Sequence, residues 1–221
     1  MRTEGERLFE EYLTSRRLQN FEYERSFRRK SKRPDYTLTV CLRKYLFDVK
    51  DFKTVATSSG RYDPYRPVRE KINQASKKFK EFKQWPCSLV LYNRGGALVH
   101  LMSPDHMFAS MYGDISLTWD VDISKGVSVP NSERGTFGKG GKMIRPRTNE
   151  PQNTTISSLI SLRHLTNQST GQRGLGVSVW HNVTARRRLP SHLFRGTFDE
   201  EFDLVENSFE RTFAGNGVLN V

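Results

Sequence analysis

Residues Cys87–Tyr92 (CSLVLY) form a continuous apolar run. A strand with apolar side chains on both of its faces has to be covered on both, so the chain needs layers on either side of a sheet. The preceding segment supplies one cover. From Pro67, well placed to open a helix, Val68, Ile72, Ala75, Phe79 and Phe82 recur at helical spacing. Arg69, Lys71, Lys77, Lys78, Lys80 and Lys83 lie off that stripe, and Trp85 and Pro86 end the helix. Further upstream, residues 35 to 42 set Leu38, Val40 and Leu42 against Thr37, Thr39 and Cys41, an alternation that predicts a strand. Arg43 and Lys44 read as a polar turn and residues 45 to 50 as the second strand of a hairpin. Residues 4 to 18 read as a helix with Leu8, Phe9, Tyr12 and Leu13 on one face. The order helix, hairpin, helix, strand predicts an α/β (α+β) fold with a mixed central sheet flanked by helices.

The remainder is less regular. Residues 21 to 33 are dense in Arg and Lys with Phe21, Tyr23 and Phe27 between them, read as a strand and a basic turn. Residues 54 to 66 read as a loop, 97 to 102 as a strand after the Gly95-Gly96 turn, and a short helix follows Pro104. Residues 124 to 153, rich in Gly, Ser, Pro, Asn and basic side chains, read as a long flexible or binding loop, with a plain surface insertion as the alternative. Residues 155 to 165 are expected to be a short helix and 175 to 183 a strand, and no period is visible after Phe202. One domain over 1–221, with a catalytic core at about 4–102, is the simplest organisation for 221 residues.

Charge points toward a partner. The chain carries 36 basic and 24 acidic residues, a net +12, which suits a polyanion without specifying one. No stretch is long and apolar enough for a membrane span, and the acidic N-terminus (Glu4, Glu6, Glu10, Glu11) is no secretory leader. Cys41 and Cys87 sit in apolar runs and read as small core residues of a reducing, intracellular compartment, cytoplasmic or nucleoid-associated. The five histidines do not cluster, so no structural zinc site is expected.

The chemistry concentrates at Pro34-Asp35 and Asp48-Val49-Lys50. On a strand Asp48 and Lys50 project from one face, with Phe47 and Val49 on the other. Asp35 opens the partner strand and can lie near Asp48. Two close carboxylates repel, and a divalent cation with a taste for hard oxygen ligands, Mg2+ or Mn2+, resolves that repulsion. It can polarise a phosphoryl oxygen and acidify a water, with Lys50 beside that water to offset growing negative charge. Acid-x-Lys recurs at Asp51/Lys53 and Glu81/Lys83. Glu81/Lys83 reads as a solvated helix face. Asp51/Lys53 is the real competitor, but Asp48 has the alternating context of Phe47 and Val49.

Helix, Pro-Asp strand, acid-x-Lys strand, helix and strand, from residue 4 to about 92, together resemble the PD-(D/E)xK nuclease superfamily, which includes restriction endonucleases and archaeal Holliday-junction resolvases. Gly5-Glu6-Arg7, followed by Phe9 and Leu13, is similar to the start of the resolvases. The resemblance implies a restriction-endonuclease-like core, Glu6 as a further metal ligand (Glu10 second, with an ordinary first-turn Glu as the bland reading), and a role near the site for Gln74. Arg69, Lys71, Lys77 and Lys78 are then candidate phosphate contacts, with a solvated basic helix face as the alternative. A homodimer is compatible with the resemblance, since many members pair. The function implied is a metal-dependent nuclease on nucleic acid, DNA ahead of RNA. The alternatives are a catalytically inactive nucleic-acid-binding protein of the same fold and a basic interaction protein with an accidental motif. Arg186-Arg187-Arg188 reads as a basic loop and Trp180 as core.

Overall fold

In the computed structural model the described residues are 2–28, 30–52, 63–94, 99–118, 121–125, 127–128, 134–138, 140–145, 148, 150–166, 171, 173–205 and 208–213. The fold is mixed α/β. An eight-stranded sheet is ordered β1 (Phe21–Tyr23), β2 (Tyr36–Val40), β3 (Arg43–Phe52), β4 (Cys87–Asn93), β9 (Ile156–Thr166), β10 (Arg173–His181), β11 (Glu200–Val205) and β12 (Ser208–Phe213). Pairs β3–β4, β4–β9 and β10–β11 are parallel and the others antiparallel. Helix α1 (Glu4–Ser15) covers one face, and α2 (Arg66–Phe79) and α3 (Pro104–Tyr112) cover the other.

The apolar run at β4 does what its composition requires. Val90 and Tyr92 join Leu8, Phe9, Tyr12 and Leu13 of α1 in one core, while Cys87, Leu89 and Leu91 join Val68, Ile72, Ala75 and Phe79 of α2 in the other. Alternation on β3 sorts the same way, with Phe47 and Val49 toward α1 and Leu46 and Phe52 toward α2. Helix α1 can approach closely because of Gly5: a methyl group there would collide with the Asp51 carboxylate and the Tyr92 Cβ. No helix among the described residues is long and apolar enough to cross a membrane.

Several expectations are corrected. The hairpin turns at Cys41 and Leu42, not at Arg43 and Lys44, which begin β3. Both turn residues have positive φ (47° and 64°), as a two-residue turn that matches strand twist demands. Cys41 is therefore exposed rather than core, and Leu42 is 96% exposed. Cys87 is buried, and burial raises its thiol pKa far above the usual range.

The expected helix at 155 to 165 is the strand β9. Ile156, Leu159 and Ile160 imitate helical spacing because serines fill the buried positions between them. Each serine has a partner: Cys87 N–H donates to Ser157 Oγ (2.9 Å), Ser88 and Ser158 bond each other (2.8 Å), and Ser161 donates to Leu101 O (2.6 Å). Buried hydroxyls so satisfied cost little.

The expected strand at 97 to 102 is turn and coil where it is described, at 99–102. The segment 124 to 153 is not a free loop at its described residues. β7 (Val127–Ser128) pairs with β6 (Val121–Asp122), and β8 (Arg134–Phe137) pairs with β5 (Ile115–Thr118). Met143 enters the core, and the Gln152 and Asn153 amides hold the backbone of Gly141, Lys142 and Ile144. These two- and four-residue strands are too short to show a period. Beyond Phe202, β11 continues to Val205 and β12 follows. Most of the expected loop at 54 to 66 lies outside the described residues.

Candidate active site

The β2–β3 hairpin builds the site. Its register pairs Tyr36 with Phe47, so Asp35, one residue before β2, stands beside Asp48 on the face toward α2. The Val49 N–H holds Asp35 there through a 2.7 Å bond to Oδ2. Asp48 is wholly buried and Asp35 nearly so, at 8% exposure. Lys50, on the same face of β3, places its Nζ 2.9 Å from Asp48 Oδ2 and 3.9 Å from Asp35 Oδ2. Three of the four expected catalytic side chains thus converge.

A fourth group arrives from α2. Lys78 Nζ lies 2.9 Å from Asp35 Oδ1 and also bonds Asp48 Oδ1. Burial and the neighbouring Asp35 raise the Asp48 pKa, against the pull of Lys50 and Lys78. Burial works against the Lys78 charge, but Asp48 and Asp35 outweigh it, so the ammonium is held charged. Two like charges side by side in a buried pocket, each needing external cations, make an expensive arrangement for structure alone.

Glu6 is placed differently. It belongs to α1, across the sheet, where its carboxylate accepts from the Thr3 N–H (2.7 Å) in a capping box and lies 3.5 Å from the Tyr23 hydroxyl. No hydrogen bond or ion pair joins Glu6 to Asp35 or Asp48 among the described residues. Burial, then Glu6, Glu24 and Asp35, raise the pKa of Tyr23. Glu10 pairs with Arg2 and accepts from Tyr36 Oη (3.3 Å).

The competing acid-x-Lys motif has another occupation. Asp51 points to the α1 face and accepts from the Gly5 N–H (3.1 Å) and Thr3 Oγ1 (3.2 Å), where a carboxylate complements the helix N-terminus. Its partner Lys53 lies outside the described residues. Glu81 lies past the end of α2 and accepts from Ser31 and Lys32.

The candidate phosphate contacts divide. Gln74 and Lys77 are exposed, and Lys71 is half-buried with Nζ 5.8 Å from the centre of the Phe52 ring. Arg69 is turned inward and 9% exposed, held by Asp114 (2.8 Å), the Ala109 carbonyl (2.9 Å) and Asp63 (3.7 Å), which occupies it structurally. Lys78, expected to meet phosphate or water, meets the carboxylate pair instead. Its available signal was spacing: Lys71, Gln74 and Lys78 stand at i, i+3 and i+7, on one helix face.

The residues present fit a hard divalent cation. Asp48 Oδ2 is buried without a hydrogen bond, because Lys50 Nζ, though close, lies off a bonding direction. Asp35 and Asp48 offer only oxygen donors, the set Mg2+ prefers, and such ions bind through one or two carboxylates while keeping waters and substrate oxygens. Among the described residues no three His, Cys, Asp or Glu side chains form a closed cage. Comparison with family models, curated proteins and solved structures found no match to this chain.

Proposed function

We propose that the chain is a metal-dependent nuclease of the PD-(D/E)xK type that hydrolyses phosphodiester bonds of nucleic acid, DNA first. The observation that carries this reading is the buried Asp35–Asp48 pair with Lys50 on the same strand face. The sequence α1, β2, β3, α2, β4, with β3 and β4 parallel, supports a restriction-endonuclease-like core around it.

Asp35 and Asp48 would hold the ion, which when bound would supply Lewis-acid polarisation of the phosphoryl oxygen and a more acidic water. Lys50 donates to the attacking water and offsets negative charge as it grows on the phosphate. The Val49 N–H keeps Asp35 aimed at the centre. Gln74 and Lys77 are exposed on α2, the helix that carries Lys78, where a basic surface suits a phosphate backbone. The Glu6 carboxylate is held by the Thr3 N–H and the Tyr23 hydroxyl rather than by the pair.

One observation favours the alternative of an inactive nucleic-acid-binding protein: Lys50 and Lys78 already balance both carboxylates. A panel of linear, circular, single-stranded and branched DNA, with RNA, incubated with Mg2+, Mn2+ or EDTA, separates the two. Metal-dependent cutting of any member supports the nuclease, and retention of nucleic acid without cutting in any condition supports the alternative.

A further inference from the structure

The carboxylate pair already holds a cation. Lys78 touches one oxygen of each carboxylate, Oδ1 of Asp35 and Oδ1 of Asp48, and so joins the two groups that a shared divalent ion needs. Resting on the metal-dependent reading above, we propose that Lys78 is a tethered stand-in for the ion, displaced when the ion binds and taken up by a phosphate of the nucleic acid, so that metal and polyanion bind cooperatively.

Charge supports this coupling. Two carboxylates and two ammonium groups sum to zero; a divalent ion added to all four leaves +2 in a largely dehydrated pocket, where like charges repel strongly. A phosphodiester anion at the mouth relieves that excess. The layout permits the exchange. The Asp48 side chain at the floor is 1% exposed, while those of Lys78 and Lys50 at the rim are 22% and 25% exposed. A lysine on a flexible stem can swing from floor to mouth, and its ammonium binds as a point charge with no fixed fork to break. The exposed Lys77 adds a further positive charge to the last turn of α2.

The test uses the full chain, calorimetric titration with MnCl2, and the variants Lys78→Met and Lys78→Gln, which keep a stem and remove the charge. Without nucleic acid, Mn2+ should bind the variants about tenfold more tightly than wild type, within the usual range of such couplings. In wild type alone, a short phosphorothioate DNA duplex, its binding confirmed at low salt by anisotropy, should tighten Mn2+ binding by a similar factor, and this gain should vanish in the variants. Equal Mn2+ affinity in wild type and variants, or no effect of the bound duplex on wild type, overturns the proposal. Failure of Mn2+ to bind any of the folded proteins removes the metal-dependent reading itself, a result distinguishable from the first two.

Discussion

Among the ionic clusters of the described residues, two are built on opposite plans. At one, Arg16 grips Asp199 with two bonds, Nε to Oδ2 (2.7 Å) and Nη2 to Oδ1 (3.2 Å), while Nη2 also donates to Leu175 O and the Val177 N–H donates to Asp199 Oδ1. One acid meets one base in a planar fork, and each carboxylate oxygen has a partner. This clamp fastens the end of α1 to the turn before β11. At the other, two acids stand together, two lysines hold them from the rim, and Asp48 Oδ2 is left without a hydrogen bond. A cluster made to last uses Arg and satisfies everything. On the proposed function the second cluster is one that exchanges ligands, which suits lysines, adjacent like charges and an oxygen left without a hydrogen bond.

Substitutions should therefore separate stability from activity. The largest effect is expected at Lys50→Ala: a loss of cleavage on the order of 10²–10³-fold, as for removal of a group that stabilises transition-state charge, with little change in melting temperature, read by single-turnover kinetics and thermal unfolding. Asp199→Ala should do the reverse. It strands the Arg16 guanidinium and should cost about 3–5 kcal/mol of stability, measured by denaturant unfolding, with the site's chemistry intact in the folded fraction.

Asp48→Asn sharpens the contrast through its pH dependence. An acid whose pKa is raised by folding contributes stability that is full below its unfolded value, near 3.8, and lost as pH rises through the raised value. The metal-free wild type should therefore fall in stability relative to Asp48→Asn as pH climbs from 4 toward neutrality. At neutral pH the variant should match or exceed wild type, within about 1 kcal/mol, because the freed lysines can turn to solvent. His106 has the opposite sign. Burial, then His100 and Arg69, lower its pKa to about 4, so it contributes stability above 6.5 that is lost as pH falls toward 4. His106→Phe should flatten that acid limb in the same unfolding series.

The smallest effect concerns the hairpin that carries the site. Replacing Cys41-Leu42 by Asn-Gly, residues that accept positive φ, should stabilise the fold by about 0.5–1 kcal/mol and leave cleavage unchanged.

The difference between the clusters also marks what could be read from the chain. Asp35, Asp48 and Lys50 were legible because local rules place them: period two on β3 and a hairpin that brings Asp35 alongside. Cys41 was misread because strand alternation runs on into the turn without a Gly or Asn to stop it. Lys78 escaped because a lysine beside an apolar stripe has the same pattern whether it meets water or a carboxylate pair. β9 escaped because its buried serines are paid for by partners on β4 and β10 and in the Leu101 turn, all distant in sequence. Asp199 was silent for the same reason, since its partner Arg16 lies at the other end of the chain. Sheet neighbours are sequence neighbours from β1 to β4 and again from β9 to β12, and the one pairing out of chain order in this sheet joins β9 to β4.

On the proposed function the Asp35–Asp48–Lys50 centre cuts nucleic acid. The most direct test follows binding and cleavage in one reaction, with wild type and Asp48→Asn on the same labelled DNA in Mn2+. Wild type should bind and cut, and Asp48→Asn should bind with comparable affinity and not cut. Cutting by Asp48→Asn at the wild-type rate would contradict the proposed function.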